Sequence, residues 1–348
     1  MPPDRPLLTI AIPTYNRSAF LGQLLGILMP QLKKEPSVEL LISDNASPDD
    51  TAEVVDRFCG NDPRIRLLRN TVNVGADENF LQCFREARGK YLWLVGDDDI
   101  LVPGSVEKVA RLLDIAEYDL AFVRPYAFRE KYDEVKVRDY LGRAAMVVND
   151  PERFAEMTGV MLTFISAVIV NKDRLAGSAA PDPSRLIGTN LIQLGWVLPL
   201  LAEYRRGLII YGGLVAGRRA NSGGYDHSNV FGRNLKRVAF ELLPGHSYLA
   251  ERILNNTLRC WFPDVVLELR REAAGAFDYK DMDASLRPVF GDNPRYWFFV
   301  YPAIKAPLWL ASLFSSIHRR IIMKGRAILL ALIQITLQRR NLITERSQ

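Results

Sequence analysis

Short apolar runs alternate with amphipathic stretches through the first hundred residues of the chain. The runs have the length and the branched or aromatic content of buried strands, and they cover 7–12, 38–43, 65–68 and 91–95. The stretches between them repeat apolar residues at helical spacing, over 20–28, 50–58 and 77–88. Because strands that alternate with helices build a parallel sheet covered on both faces, the pattern predicts a doubly wound α/β domain.

The alternation continues less regularly after this region. The spacing predicts helices over 105–113, 187–201 and 240–269, strands over 120–123 and 208–211, a long apolar strand over 161–171, and a solvated, charge-rich excursion over 126–143. We therefore expect a mostly parallel sheet flanked by helices in residues 1–235. A helical C-terminal region follows in residues 236–348.

The composition is that of an ordinary globular protein, with 48% hydrophobic and 24% charged residues. Its three cysteines, Cys59, Cys83 and Cys260, lie far apart and form no CxxC pair. This argues against a disulfide framework or a zinc site and suits a reducing cytoplasm. The first residues also lack the apolar core of a secretory signal, so we expect a cytoplasmic protein.

Positive charge is concentrated at the C-terminal end. The net charge is +5, and residues 296–348 carry eight Lys or Arg against one acid, Glu345, which gives that segment +7 and the remainder −2. The sequence pI of about 9.0 therefore reflects the tail. It is not evidence for a nucleic-acid-binding body.

Polar residues follow the predicted strands where a ligand would bind. Pro-Thr-Tyr-Asn-Arg follows the first strand, Asp44 follows the second, and 97–99 form an Asp triplet after the fourth. Since the carboxyl ends of parallel strands meet at one edge of a sheet, these groups are expected together there. No GxGxxG or GxxxxGK[ST] motif follows any of the strands, which disfavours dinucleotide and P-loop binding.

The aspartate triplet has two interpretations from its residues alone. Clustered carboxylates repel one another and are stabilised by a cation, and hard ions such as Mg²⁺ or Mn²⁺ prefer carboxylate oxygens. The same residues could instead cap a helix N-terminus, where the dipole favours Asp.

Four motifs in order resemble those of glycosyltransferase family 2. They are IPTYNR, SDNASPDDT, NVGADENF and GKYLWLVGDDDIL, within residues 7–113. The resemblance implies a GT-A fold and an inverting transferase that uses a nucleotide-diphospho-sugar and Mg²⁺ or Mn²⁺. The GDDD variant is similar to that of abequosyltransferase-like enzymes of bacterial O-antigen and surface-polysaccharide synthesis.

The resemblance also implies roles for residues of the first three loops. The residues expected to border the nucleotide are Pro13, Tyr15 and Arg17, and Asp44 is expected to bind its base. Further along the chain, the residues expected to shape the wall of the donor pocket are Asn73 and Gly75.

At the fourth loop the chain departs from the family pattern of Asp-x-Asp-Asp. Gly96 stands at the first aspartate, so Asp98 becomes the principal metal candidate, with Asp99 as a second ligand and Asp97 beside the donor. The usual division of carboxylates between ribose and metal is therefore not expected here.

A second departure concerns the catalytic base. The family places Glu-Asp at a helix start where this chain has Gly-Thr-Asn, ending at Asn190, and an amide cannot accept a proton. Asp182 is the nearest carboxylate and is a candidate base. In the later Gly/Ser-rich loop, Arg219 is a candidate diphosphate clamp and His227 a candidate base or ligand.

The segment 296–317 is apolar and aromatic, but two prolines and a lysine interrupt it, and the apolar run 327–337 is too short to span a bilayer. With the basic residues around it, the pattern indicates an interfacial segment on the anionic inner leaflet, consistent with a lipid-linked saccharide acceptor. A packed helical hairpin or a homo-oligomer interface is the alternative. The other functional hypotheses are a nucleotidyltransferase-like enzyme and a non-catalytic membrane-associated partner protein.

Overall fold

A computed structural model describes residues 5–60, 62–135, 144–178, 180–219, 224, 226–271 and 281–320. The chain divides into two compact units, Met1–Leu254 and Asn255–Gln348. Residues 236–254, which the sequence pattern assigned to the C-terminal region, cluster with the first unit.

The first unit is built on an eight-stranded sheet with the order β3-β2-β1-β4-β9-β6-β10-β8. Its strands are β1 (Leu8–Thr14), β2 (Val38–Asp44), β3 (Ile65–Arg69), β4 (Tyr91–Leu94), β6 (Leu120–Val123), β8 (Ala145–Val148), β9 (Val168–Asn171) and β10 (Gly207–Ile210). The pairs β1–β2, β1–β4, β2–β3 and β6–β10 are parallel, whereas β9 runs antiparallel to β4 and β6, and β8 antiparallel to β10. The α/β prediction is confirmed.

A second, small sheet has the order β5-β11-β7, and its strand β5 directly follows the aspartate triplet. Its strands are β5 (Ile100–Leu101), β7 (Tyr126–Phe128) and β11 (Val215–Arg218). Because β5 begins directly after Asp99, its antiparallel pairing with β11 holds the aspartate loop against residue 218.

Helices flank the large sheet. The α-helices that begin in the first unit are α1 (Ser18–Leu32), α2 (Thr51–Cys59), α3 (Ala76–Glu86), α4 (Ser105–Ile115), α5 (Pro151–Thr158), α6 (Lys172–Ala176), α7 (Leu194–Ala202), α8 (Leu235–Leu242) and α9 (Ser247–Asn256). Alternate residues of β1, Leu8, Ile10 and Ile12, pack with α1, α2 and α4 in one apolar core. On the neighbouring strand, Leu92 and Leu94 line a cavity with Trp196 of α7.

Several sequence predictions differ from the structure. The apolar run 161–171 forms 3₁₀ turns first and becomes a strand only at Val168–Asn171, so the long strand was wrong. Residues 187–193 are turns, because Gly188 and Asn190 have positive φ angles and the α-helix begins at Leu194. The charged excursion contains strand β7, and its residues 136–143 lie outside the described part of the chain.

The described residues of the second unit are helical. Their elements are a π-helical turn Thr257–Trp261, α10 (Phe262–Arg271), α11 (Met282–Phe290), a second π-helical turn Tyr296–Val300, α12 (Tyr301–Lys305) and a helix over 308–320. The predicted single helix over 240–269 is interrupted at 243–246. Among the described helices, none combines the length and apolarity needed to cross a membrane. The run 327–337 lies outside the described residues.

Candidate functional site

The carboxyl end of β4 delivers three aspartates to the edge of the sheet. Asp97 and Asp99 are buried, at 4% and 3% exposure, whereas the side chain of Asp98 is 15% exposed. Thr14 Oγ1, at the end of β1, donates a 2.7 Å hydrogen bond to Asp97 Oδ2. Ser166 Oγ donates to Asp99 Oδ2 at 2.5 Å. The two buried carboxylates are thus held by protein hydroxyls, and Asp98 is the most accessible of the three.

The loop after β1 brings a cation to the same place. Arg17 Nη1 lies 3.2 Å from Asp97 Oδ1 and 3.4 Å from Asp98 Oδ2. Asn16 has a positive φ of 54°, and its backbone N–H donates to Ser47 Oγ at 2.9 Å. This link ties the first loop to the loop after β2, so three strand ends form one rim.

Burial disfavours the ionised forms of two carboxylates in the aspartate loop. Desolvation raises the pKa of Asp97 to about 6, although Arg17 and Thr14 act in the opposite direction. Desolvation and the neighbouring Asp98 charge raise the pKa of Asp99 to about 7. A divalent ion would favour the ionised forms of both groups.

The donor set fits a hard divalent cation that is shared with a ligand. Within the described residues, no three His, Cys, Asp or Glu side chains converge as a preformed metal cage. Mg²⁺ and Mn²⁺ sites at phosphates commonly use one or two carboxylates, with waters and phosphate oxygens completing the shell. Asp98 is the side chain positioned to supply such a carboxylate, with Asp97 and Asp99 adding negative charge behind it.

The melting temperature of the cation-free protein is expected to fall as pH rises from about 5 to about 8. Asp99, with a folded-state pKa above its unfolded value, stabilises the fold while protonated and loses this contribution as pH rises through about 7. The slope is on the order of 1 kcal/mol per pH unit for each proton. Melting curves in chelator should show a smaller fall for Asp99→Asn than for wild type. Equal slopes in the two proteins would contradict the raised pKa of Asp99.

Glycine at 96 has a steric reason. A Cβ built at Gly96 would lie 3.0 Å from Asp98 Oδ1 and 3.1 Å from Asp99 Oδ2. Asp99 cannot easily give way, because it accepts from Ser166 and from the backbone N–H of Arg218 at 3.1 Å. The loop is therefore packed so closely around position 96 that glycine fits there better than the aspartate of the family pattern.

Restoring the missing aspartate as Gly96→Asp is expected to damage the site. It adds a Cβ where two carboxylate oxygens lie and a fourth negative charge beside them. We expect a loss of about 1–2 kcal/mol in the free energy of unfolding, as for an overpacked position, and about a tenfold lower transfer rate. Denaturant melts and activity assays measure both. Gly96→Ala adds the Cβ without charge, so a loss as large in Gly96→Ala would assign the effect to sterics alone.

Asp44 ends β2 beside the first loop and is fully buried. Its Oδ1 accepts from the backbone N–H of Ser47 at 2.9 Å. Its Oδ2 has no hydrogen-bond partner among the described residues, and Arg69 Nε, 3.3 Å away, forms an ion pair without hydrogen-bond alignment. A buried carboxylate oxygen that lacks a hydrogen-bond donor is suited to accept from a ligand N–H, such as that of a nucleotide base.

The next residue, Asn45, holds the loop that contains the predicted wall residues. Asn45 Nδ2 donates to Asn73 Oδ1 at 2.8 Å and to the carbonyl of Gly75 at 3.2 Å. Asn45 Oδ1 accepts from Asn70 Nδ2 at 2.9 Å and from the N–H of Val74 at 3.0 Å. The structure thus brings the predicted wall residues 73 and 75 to the end of β2. Gly75 has a φ of 89°, which favours glycine there.

Two further predicted residues take different positions. Pro13 is buried inside strand β1, opposite Ser43 of β2. A ligand can therefore contact it only at the carboxyl end of that strand. Tyr15, 42% exposed, lies in the loop where its ring is open to solvent and to a ligand.

Arg218, the neighbour of the predicted Arg219, contacts the aspartate loop. Its Nε donates to the carbonyl of Asp98 at 3.1 Å, and its Nη2 donates to Gln23 Oε1 at 2.6 Å. Its guanidinium lies over two rings, 4.9 Å from the centroid of Phe20 and 4.6 Å from that of Phe128. The exposed Arg219 is connected through its backbone N–H to the carbonyl of Phe128.

The candidate base Asp182 acts as a cap in this structure. It is exposed and accepts from the backbone N–H and the hydroxyl of Ser184, at 3.0 and 2.7 Å. The Ser184 hydroxyl is the main cause of its lowered pKa, and Arg85 lies 3.8 Å away. A carboxylate with a lowered pKa is a weaker base.

The segment with Asn190 at the family's base position is held by a carboxylate from α3. Asp77 Oδ2 accepts from the backbone N–H groups of Gly188 and Asn190, at 2.8 and 3.0 Å. Burial raises the pKa of Asp77, and these backbone bonds oppose the shift. The carboxylate fixes this turn, while the amide of Asn190 is exposed.

His227 is largely buried beside Phe231, with ring centroids 5.9 Å apart. Burial lowers the pKa of its imidazole, against the opposing charge of Asp226. A lowered pKa favours the neutral imidazole, the form that accepts a proton. Residues 220–223 and 225, in the loop before it, lie outside the described part of the chain.

Sequence reasoning assigned no positioning role to four residues that hold the loops: Thr14, Asn45, Ser166 and Arg218. Ser166 carried a signal, because a hydroxyl inside an apolar run requires a buried partner. The sequence offers Arg218 and Arg219 together, and the register of β11 is needed to show that Arg218 contacts Asp98.

Comparison with known proteins agrees with this geometry. Residues 9–166 match the family model described as glycosyl transferase family 2. Abequosyltransferase RfbV of Salmonella typhimurium is 41% identical over 109 residues, which are 31% of this chain and 33% of that protein. A Campylobacter jejuni protein, GalNAc(5)-diNAcBac-PP-undecaprenol beta-1,3-glucosyltransferase, is 30% identical over 102 residues, 29% of this chain and 32% of that protein. The alignments span about a third of the length of these two relatives.

The fold has solved counterparts. Staphylococcus aureus TarS 1–349 aligns with a TM-score of 0.57 at 15% identity, over 92% of this chain and 91% of that one. The same TarS segment has been solved in complex with UDP, with the same TM-score. The predicted GT-A fold is thereby confirmed. Residues 9–166, which contain the four loop motifs almost entirely, thus match glycosyl transferase family 2, the family that these motifs resemble.

Proposed function

We propose that this protein is a metal-dependent, inverting glycosyltransferase that moves a sugar from a nucleotide-diphospho-sugar to a saccharide acceptor. Mg²⁺ or Mn²⁺ would be its cofactor. The observation that carries the proposal is the juxtaposition of Asp98 with Arg17 at one rim of the sheet, where the carboxylate Oδ2 and the guanidinium lie 3.4 Å apart.

Each group has a part in the departure of the sugar. The leaving nucleoside diphosphate gains negative charge as the bond to the sugar breaks. Arg17 is partly exposed, so its guanidinium can shift from the aspartates to diphosphate oxygens. When bound, a divalent cation at Asp98 would neutralise the same charge, with Asp99 as second carboxylate. Arg219 is assigned the role of a further diphosphate contact.

The nucleotide is assigned to the pocket between the ends of β1 and β2. Asp44 is assigned to the base through its Oδ2, which has an ion pair with Arg69 but no hydrogen-bond partner among the described residues. Tyr15 offers an exposed ring for stacking, and the loop with Asn73 and Gly75 is assigned to the wall. The UDP complex of TarS makes uridine nucleotides the first to test. A nucleotidyltransferase has less support, because the chain lacks a Gly-rich phosphate loop after β1.

The acceptor is proposed to be a lipid-linked saccharide of bacterial O-antigen, capsule or exopolysaccharide synthesis, used at the cytoplasmic face of the membrane. The names of the two relatives, an abequosyltransferase and a glucosyltransferase of an undecaprenol-linked saccharide, support hexosyl or deoxyhexosyl transfer of this kind. Inversion requires one base for the acceptor hydroxyl, and the candidates are Asp182 and His227. The lowered pKa of Asp182 weakens it as a base, whereas neutral His227 is able to accept a proton.

A thermal-shift screen of nucleoside diphosphates and nucleotide sugars, with Mn²⁺ or with chelator, tests the donor class. We expect stabilisation by one nucleotide family, larger with Mn²⁺. Donor hydrolysis with that nucleotide sugar then tests turnover, and the variants Asp182→Asn and His227→Gln assign the base through acceptor transfer. Nucleotide binding without any turnover would favour the non-catalytic partner hypothesis. No response to any nucleotide sugar would refute the proposal.

A further inference from the structure

The helix over 308–320 of the second unit presents its large apolar side chains to solvent. They recur along one stripe, are between 42% and 69% exposed, and are Trp309, Leu310, Leu313, Phe314 and Ile317. Spacings of three and four residues, as from 310 to 313 and from 313 to 317, place them on a single face of an α-helix. An exposed face of this size, with two aromatic rings, indicates a binding surface rather than a scatter of surface residues.

The opposite face of this helix is packed through small and polar residues. Ala311 and Ser315 are buried, and Ser315 Oγ donates to Asp264 Oδ1 of α10 at 3.1 Å. Arg271 Nη2 donates to Ser312 Oγ at 3.0 Å. The usual pattern of a surface helix is thus reversed, and the apolar stripe is not needed to hold the helix on its own unit.

Basic residues accompany the apolar stripe. Arg320 is exposed on the side of the stripe, whereas the exposed Arg319 lies towards the packed face, with its Nη1 3.6 Å from Asp264 Oδ1 of α10. In the sequence, residues 296–348 hold eight Lys or Arg and one acid, a net charge of +7. Two copies meeting through this stripe would bring two such segments together and repel each other, whereas an anionic surface would neutralise the charge.

We propose that the stripe, residues 309, 310, 313, 314 and 317, docks on an anionic lipid bilayer. The helix lies along the surface with Trp309 and Phe314 at the level of the headgroups, and the basic residues contact acidic lipids. The proposal goes beyond glycosyl transfer, because it rests on the second unit and not on the donor pocket. It would place the enzyme where a lipid-linked acceptor is found.

Cosedimentation of the full chain with vesicles tests the proposal. We expect binding to vesicles of phosphatidylcholine with about a third phosphatidylglycerol, and at least tenfold weaker binding to phosphatidylcholine alone or in about 0.5 M salt. Trp309→Ala with Phe314→Ala should weaken binding about tenfold or more. The matched double variant Ile115→Ala with Phe240→Ala removes two exposed apolar side chains of the first unit and should bind as wild type.

Three results would overturn the proposal. The first is equal binding to both kinds of vesicle, and the second is equal binding by both double variants. The third is a vesicle-free dimer, seen by light scattering, that the Trp309 and Phe314 changes dissociate, since the stripe would then bind a second copy. Nucleotide affinity measured in parallel separates this test from that of the donor site, because the stripe variant should bind nucleotide as wild type does.

Discussion

Asp98→Asn is expected to lower the rate of sugar transfer by a factor of about a hundred or more. The change keeps the size of the side chain but removes the carboxylate that faces Arg17 and would hold the cation. Loss of one preorganised electrostatic group at a developing charge typically costs 10²–10³ in rate. Initial rates at saturating donor and Mn²⁺ measure the effect.

A control on α4 separates chemistry from folding in this experiment. Asp114 is exposed, and Asp114→Asn removes one charge away from the aspartate loop. Its rate should match wild type, and both variants should keep the wild-type circular dichroism spectrum. An Asp98→Asn enzyme with more than about a tenth of the wild-type rate would contradict a direct role for the carboxylate.

Arg218→Ala is expected to lower the free energy of unfolding by about 3 kcal/mol and the transfer rate by about thirtyfold. The guanidinium bonds the Asp98 carbonyl and Gln23, and it lies between Phe20 and Phe128. Charge-assisted hydrogen bonds contribute about 1.5–3 kcal/mol each, and the two ring contacts add to them. A loop that loses this support holds its carboxylates less well. Chemical denaturation and initial rates provide the two measurements.

Arg218→Lys and Arg111→Ala complete this series. Lysine keeps the charge but cannot bond two separated acceptors and also lie over two aromatic rings. We therefore expect losses of stability and rate between those of Arg218→Ala and wild type. Arg111 is an exposed arginine of α4, and its removal should leave stability and rate near wild type. If Arg218→Ala lowered the rate no more than Arg111→Ala, Arg218 would have no positioning role.

The sequence was sufficient to predict the strand and helix order of the first hundred residues, because local periodicity and loop residues agree there. The later elements depend on tertiary contacts. The run 161–171 looked like a strand, yet Ser166 turns inward to Asp99 and to the backbone N–H of Gly96, which breaks it into turns. The strands β5 and β7, with two and three residues, are too short for periodicity to reveal, and β8 and β11 were also not predicted.

In the candidate site, too, some features follow from the local sequence and others depend on tertiary contacts. The positions of Asp44 and 97–99 followed from strand ends that meet at one edge of a parallel sheet. The function of each carboxylate did not, because it depends on which hydroxyl or arginine meets it across the sheet. Asp77 illustrates this: it lies in a family motif, but its partners, the backbone of Gly188 and Asn190, are more than a hundred residues away.

Calorimetric titration with the nucleoside diphosphate that gives the largest thermal shift tests the central claim, a cation shared between Asp98 and a diphosphate. We predict that wild type binds it at least tenfold more tightly with Mn²⁺ than with chelator, and that Asp98→Asn shows no such difference. Equal affinities of wild type with Mn²⁺ and with chelator, or a full Mn²⁺ effect in Asp98→Asn, would contradict the claim.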